Sequence, residues 1–141
     1  MAVKADFTEA EWQTLRYAML DTMTYLAVVD PGFWDLLREA GHAGRFIAGE
    51  ADGSVSLLVR DLAHDVRGAR DADHSLNPAN IETPTLERLA LASAIVAEKA
   101  PEDLAGFRSF ILGIAETIAD ADGDVVPVEM HAIEKVRAAL G

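Results

Sequence analysis

The sequence predicts an all-α fold, a compact bundle of about six helices that forms a single domain over residues 1–141. Three observations predict it. Apolar residues recur three and four positions apart over long stretches, which puts them on one face of a helix. Alternating runs of β-branched residues bounded by hairpin turns, the mark of strands, are missing. Hydrophobic residues make up 50% of the chain but aromatics only 6%, so the core is mainly Ala, Leu, Val and Ile, a mixture suited to close helix packing. A single domain of this size buries about 68–70% of its unfolded surface.

The helices follow in order. Thr8-Glu9-Ala10-Glu11 reads as a capping box, with Thr8 accepting from the helix and Glu11 reaching back. Trp12, Leu15, Met19, Met23 and Leu26 continue it at helical spacing to about Val29, and Asp30-Pro31-Gly32 ends it. A second helix carries Phe33, Leu36, Leu37, Phe46 and Ile47, weakened by Gly41 and Gly44. Asp52-Gly53 predicts a turn, after which Ser54 or Ser56 can cap a third helix with Val55, Leu58, Val59, Leu62 and Val66 as its stripe. The polar stretch from Gly68 to Thr83, with Asn77-Pro78, predicts a loop joining two halves.

Thr83-Pro84 has the cap-then-proline pattern that opens a helix, and Leu86, Leu89, Ala90, Ser93, Val96 and Ala97 are its inner face. Pro101 starts a fifth helix with Leu104, Phe107, Ile111, Ile114 and Ile118 inward, ended by Gly123. Pro127 starts the sixth, with Ile133, Val136 and Leu140 turned inward. Trp12, Trp34 and Tyr25 are placed in the core or helix seams.

The net charge is −12, from 24 Asp+Glu against 12 Lys+Arg. That balance repels phosphate backbones and anionic lipid, which argues against nucleic-acid binding. The chain has no cysteine, so disulfides, thiolate metal sites and cysteine nucleophiles are excluded. The N-terminal residues lack the apolar core of a signal peptide. Uncharged runs such as Leu89 to Ala97 fall short of the roughly 20 residues that span a bilayer. The expectation is a cytoplasmic protein without membrane insertion, whose partner is another protein or further copies of itself. No nucleophile elbow and no Gly-rich phosphate loop is present, so a non-enzymatic role is expected.

The site of interest is the acidic turn before the last helix. Asp120, Asp122 and Asp124 alternate through it, and Glu129 follows one helical turn into the next helix. The run begins like an EF-hand loop but has Val125 where that loop needs Gly and His131 where it needs Glu, so an EF-hand is rejected. Carboxylates at the C-terminal end of a helix meet the negative end of its dipole, at a cost of about 0.3–1 kcal/mol. Two compensations are open. The acids can cap the next helix, whose expected cap position holds Val126, or Asp122, Glu129 and backbone oxygens can hold a hard divalent cation. A weaker copy lies 70 residues upstream, where Glu50-Ala51-Asp52-Gly53-Ser54-Val55 parallels Asp120-Ala121-Asp122-Gly123-Asp124-Val125. A duplicated helix–turn–helix unit has this appearance.

The run from Ile118 to Glu129, an apolar helix, then Ala-Asp-Gly, an acidic residue and Val, then Pro and Glu, resembles the signature of the tellurite-resistance TerB family. Ala132-Ile133 and the terminal Ala139-Leu140-Gly141 are also similar, so the specific match covers about the last 40 residues. The resemblance implies an all-helical fold of two related halves, with acidic inter-helix turns that bind divalent metal of the calcium or magnesium class. It implies an association with stress response or tellurite resistance, and it puts Asp122 and Glu129 at ligand positions with Asp120 and Asp124 in support. Two departures stand out: Val126 replaces the family's capping Ser, and Val59 takes the first-half place equivalent to Glu129.

Two other readings compete. In one, the domain is a protein–protein interaction module and the turn is only a cap. In the other, Glu39-x-x-His42 and Asp61-x-x-His64 pair with Glu98 and Glu116 in a di-metal bundle enzyme. Against that, Asp61, His64 and Asp65 sit opposite the apolar stripe, which predicts solvation. His131 could reach a cation at the turn but reads more simply as a surface side chain, and Arg67 to His74 reads as a solvated loop.

Overall fold

The computed structural model describes residues 3–29, 48–50, 52–54, 56–68, 80–120 and 127–141; side chains at 27–28, 66–68, 117–120 and 127–129 are outside the description. The fold is all-α, with no strand among the described residues. Five α-helices are bounded: α1 Glu9–Val29, α2 Leu57–Gly68, α3 Glu82–Lys99, α4 Leu104–Asp120 and α5 Pro127–Leu140. Residues 48–50 and 52–53 are also helical. The predicted second helix over Phe33–Ile47, Trp34 within it, and most of the predicted loop lie outside the described residues. No described helix is long and apolar enough to cross a membrane.

The predicted capping box opens α1. Thr8 donates its N–H to Glu11 Oε1 at 2.8 Å, and Glu11 returns its N–H to Thr8 Oγ1 at 3.1 Å. Trp12, Leu15, Met19, Tyr25 and Leu26 are buried along the helix as predicted. Ser56 caps α2, accepting the N–H of Val59 at 3.3 Å, and Leu58, Val59 and Leu62 are buried below it. Asp52 and Gly53 are still helical, so the turn comes later than the Asp-Gly pair suggests.

Helix α3 departs from expectation in two ways. It begins at Glu82, with Ile81 at the cap position and no side-chain cap, so Thr83 lies in the first turn and is not the cap. Ile81 is itself buried, and its anchoring in the core fixes where the helix starts. Ala90 and Ala97 are exposed, whereas Thr85 and Ala92 are buried with Leu89, Ser93 and Val96. The predicted face was therefore rotated to one side of the true one. The fifth predicted helix begins as a 3-10 turn, Pro101–Asp103, before α4. Phe107, Ile111 and Ile114 are buried along α4, and Ile133, Val136 and Leu140 along α5.

Helix α1 packs on all four others, most extensively on α3. The α1–α3 pair is antiparallel, because Glu11 meets Lys99 at 2.6 Å near one end and Tyr25 meets Glu82 at 3.1 Å near the other. Helix α5 closes the bundle: the carbonyl of Leu140 accepts Ser93 Oγ at 2.7 Å and Arg108 Nε at 2.9 Å, tying its end to α3 and α4. Each fully buried Leu, Ile or Phe in this core contributes about 1.5–3 kcal/mol.

The 70-residue offset extends to the helices. Helices α1 and α3 end at Val29 and Lys99, and α2 and α5 begin at Leu57 and Pro127, each pair 70 positions apart. Buried positions follow the same register: Leu15 with Thr85, Met19 with Leu89, Leu26 with Val96, Leu62 with Ala132. One contact is repeated with its chemistry changed. The Trp12 indole N–H donates to Asp65, and at the equivalent places Lys135 pairs with Glu82. Two related halves account for this agreement.

Candidate functional site

Helix α4 ends at Asp120 and α5 begins at Pro127, so six residues join two helices that pack together. Asp120 is the last residue of one and Glu129 the third of the other; their backbones are placed, and their side chains lie outside the description. Asp122 and Asp124 also lie outside the described residues. The structure thus places the two brackets of the predicted site. Among the described residues, no three His, Asp or Glu side chains gather to hold a metal.

Beside this end of α5 sits a polar cluster that the sequence reading did not single out. Glu82, at the start of α3, accepts from Tyr25 of α1 at 3.1 Å and pairs with Lys135 of α5. The hydrogen bond from Lys135, then that from Tyr25, hold the Glu82 carboxyl below its ordinary range, and the charge of nearby His131 adds to this. Burial first, and then the negative charge of Glu82, push the Tyr25 phenol up to about 12. His131 is exposed, as predicted. Next along the α1–α3 seam, Arg88 pairs with Asp21, which is 1% exposed, and lies over the Tyr17 ring at 5.5 Å. The Arg88 guanidinium on this buried carboxylate ties the helices together at a fixed register.

The opposite half holds a hollow of about 710 Å³ under the N-terminal segment, lined by Lys4, Phe7, Trp12, Gln13, Arg16 and Asp61 among others. Here Asp61 and Asp65 correct the expectation of free solvation. Asp61 accepts the Lys4 N–H at 3.0 Å, and Asp65 holds both the Lys4 ammonium at 2.8 Å and the Trp12 indole. Burial alone would raise the Asp65 carboxyl, but the hydrogen bonds from Lys4 and Trp12 outweigh it and lower it. These carboxylates anchor the N-terminal segment to α2. Their partners lie 57 and 53 residues away in sequence, which no local pattern encodes. His64 is exposed, as predicted.

The di-metal arrangement fares differently. Its inward carboxylates were to be Glu98 and Glu116, but both are exposed, and Glu116 lies 3.5 Å from Arg137. Glu39 and His42 lie outside the described residues.

Compared with protein-family models, curated proteins and solved structures, the chain matches none.

Proposed function

We propose that the chain is a non-enzymatic domain of TerB type that holds one divalent cation, of the calcium or magnesium class, at the turn between α4 and α5. Asp122 and Glu129 are the ligands, and Asp120 and Asp124 support them. The observation that carries the reading is the bracket itself: α4 delivers Asp120 at its negative end, and only six residues, two of them Asp, lead to the start of α5. No Lys or Arg occurs in the sequence between Arg108 and Lys135, and Lys135 is engaged with Glu82. Asp120 sits at the negative end of α4, Asp122, Asp124 and Glu129 follow it closely in sequence, and carboxylate and carbonyl oxygens at such a place suit a hard cation. The association with stress or tellurite resistance rests on the resemblance of residues 118–129 to that family.

Thermal melting tests this. The midpoint should rise with Ca²⁺ or Mg²⁺ and fall with chelator, and Asp122→Asn with Glu129→Gln should remove the response. A wild type indifferent to both ions sinks the reading.

A second reading, an interaction module, draws on Met130, which is 56% exposed within the first turn of α5. It predicts self-association or a partner docked at this end, and a Met130→Glu variant that weakens it in light scattering or pull-down.

A further inference from the structure

The hollow of about 710 Å³ beneath the segment before α1 is of ligand size, since small-molecule sites run from about 300 to 1,000 Å³. Its walls come from residues 3–8, the first two turns of α1 and Asp61 of α2. Glu9, Trp12, Gln13 and Arg16 fall three and four positions apart, so one face of α1 forms the long wall. Phe7 and Trp12 supply its aromatic corner. Both are buried, with ring centroids 5.7 Å apart and planes tilted by 48°.

The charges around the hollow do not cancel. Its two cations, Lys4 and Arg16, both act on Asp65: the Lys4 ammonium lies 2.8 Å from that carboxylate, and the Arg16 charge helps to keep it ionised. The two carboxylates that line the hollow, Glu9 and Asp61, form no salt bridge among the described residues. Asp61 accepts the Lys4 backbone N–H at 3.0 Å, a neutral donor on one of its two oxygens. Glu9 stands exposed at the rim. Lys4 and Arg16 against Glu9, Asp61 and Asp65 leave an excess of negative charge, in a chain whose net charge is −12. The same corner already holds one ammonium. Lys4 Nζ sits 5.8 Å from the centroid of the Trp12 ring while it pairs with Asp65, so an aromatic face and a carboxylate share a cation here.

We propose that the hollow is a binding site for a small amphipathic amine, with its ammonium drawn to Asp61 and Glu9 and its apolar body laid against Phe7 and Trp12. A carboxylate ligand of the same shape meets the wrong sign of charge. The site lies in the other half of the chain from the turn between α4 and α5, and it does not rest on the cation reading of that turn.

The test uses the full chain and two probes of equal size, 4-phenylbutylamine and 4-phenylbutyrate, in salt of about 0.15 M that screens general attraction to an acidic surface. Binding is read from the indole N–H resonance of Trp12, the group that donates to Asp65. Trp34→Phe tells the two indoles apart. The amine should move the Trp12 resonance along a saturable curve, with a dissociation constant of about 1 mM or below. The butyrate should bind about tenfold or more weakly. Asp61→Asn keeps an oxygen for the Lys4 N–H but loses the charge, so it should weaken the amine about tenfold. Glu9→Gln changes an exposed side chain and should weaken it about threefold. A butyrate that binds as tightly as the amine, wild-type affinity in either carboxylate variant, a response that never saturates, or a Trp12 resonance unmoved by both probes each overturns the proposal.

Discussion

The Tyr25 hydroxyl donates to the Glu82 carboxylate at 3.1 Å across the antiparallel seam of α1 and α3. The ring of Tyr25 is buried while its oxygen meets a charge that Lys135 also holds, so the phenol is kept neutral beyond its usual range. The chain has two tyrosines, Tyr17 and Tyr25. Absorbance titration of phenolate should show a late step near 12 that Tyr25→Phe removes and Glu82→Gln shifts downward. Because the folded value is raised above 10.0, stability linked to this group is intact below pH 10 and lost as pH rises toward 12. A late step that survives Tyr25→Phe would rule the assignment out.

Arg88 forms a salt bridge with the buried Asp21 carboxylate. Arg88→Met strips that charge of its guanidinium, and the cost should be about 3 kcal/mol in urea unfolding, at the low end for a broken buried pair because Arg88 is itself half-buried. Replacing both residues, Asp21→Leu with Arg88→Met, should recover much of the loss. A single variant as stable as wild type would show that the pair does not act as described.

Ser56 has two tasks, capping α2 and bonding Asp103. Ser56→Ala should lower stability by about 1–2 kcal/mol, whereas Ser54→Ala, which loses one long, half-buried contact from the Ser56 N–H at 3.3 Å, should cost less. Denaturant midpoints of the two variants decide it, and equal losses would contradict the assignment.

Acid should weaken the fold in a defined window. The carboxyls of Glu11, Glu82 and Asp65 are lowered in the folded state, chiefly by hydrogen bonds from Lys99, from Lys135, and from Lys4 with Trp12 that outweigh burial. Their contribution is complete above the ordinary values, 4.5 for Glu and 3.8 for Asp, and is lost as pH falls below these toward the lowered values. The melting midpoint should hold from pH 7 to 5 and then drop, and the drop should be shallower in Asp65→Asn. A variant with the wild-type slope would exclude Asp65 from it.

What could be read from the sequence was whatever is local. The Thr8–Glu11 box and the Ser56 cap are written within four residues, and both form. The stripes of α1, α2, α4 and α5 follow from spacing alone. For α3, alanines sit on both faces, so apolar spacing could not tell Ala92 from Ala90; packing against α1 decides it. The ion pairs that set the register of the bundle, Asp21 with Arg88 and Glu82 with Lys135, join residues 67 and 53 apart and leave no local trace. At the candidate site the residue types were legible, and their brackets at Asp120 and Pro127 now have helix ends beneath them.

The clasp between Glu11 and Lys99 joins positions 88 apart, and it orders events during synthesis. A chain made from its N-terminus exposes α1 to solvent while α2 is built, because the helix that covers most of it, α3, is still inside the ribosome. Non-local closure of this kind slows folding and leaves apolar surface open to chaperones in the interval. Of the five helices, the one made before the others is therefore among the last to be sealed.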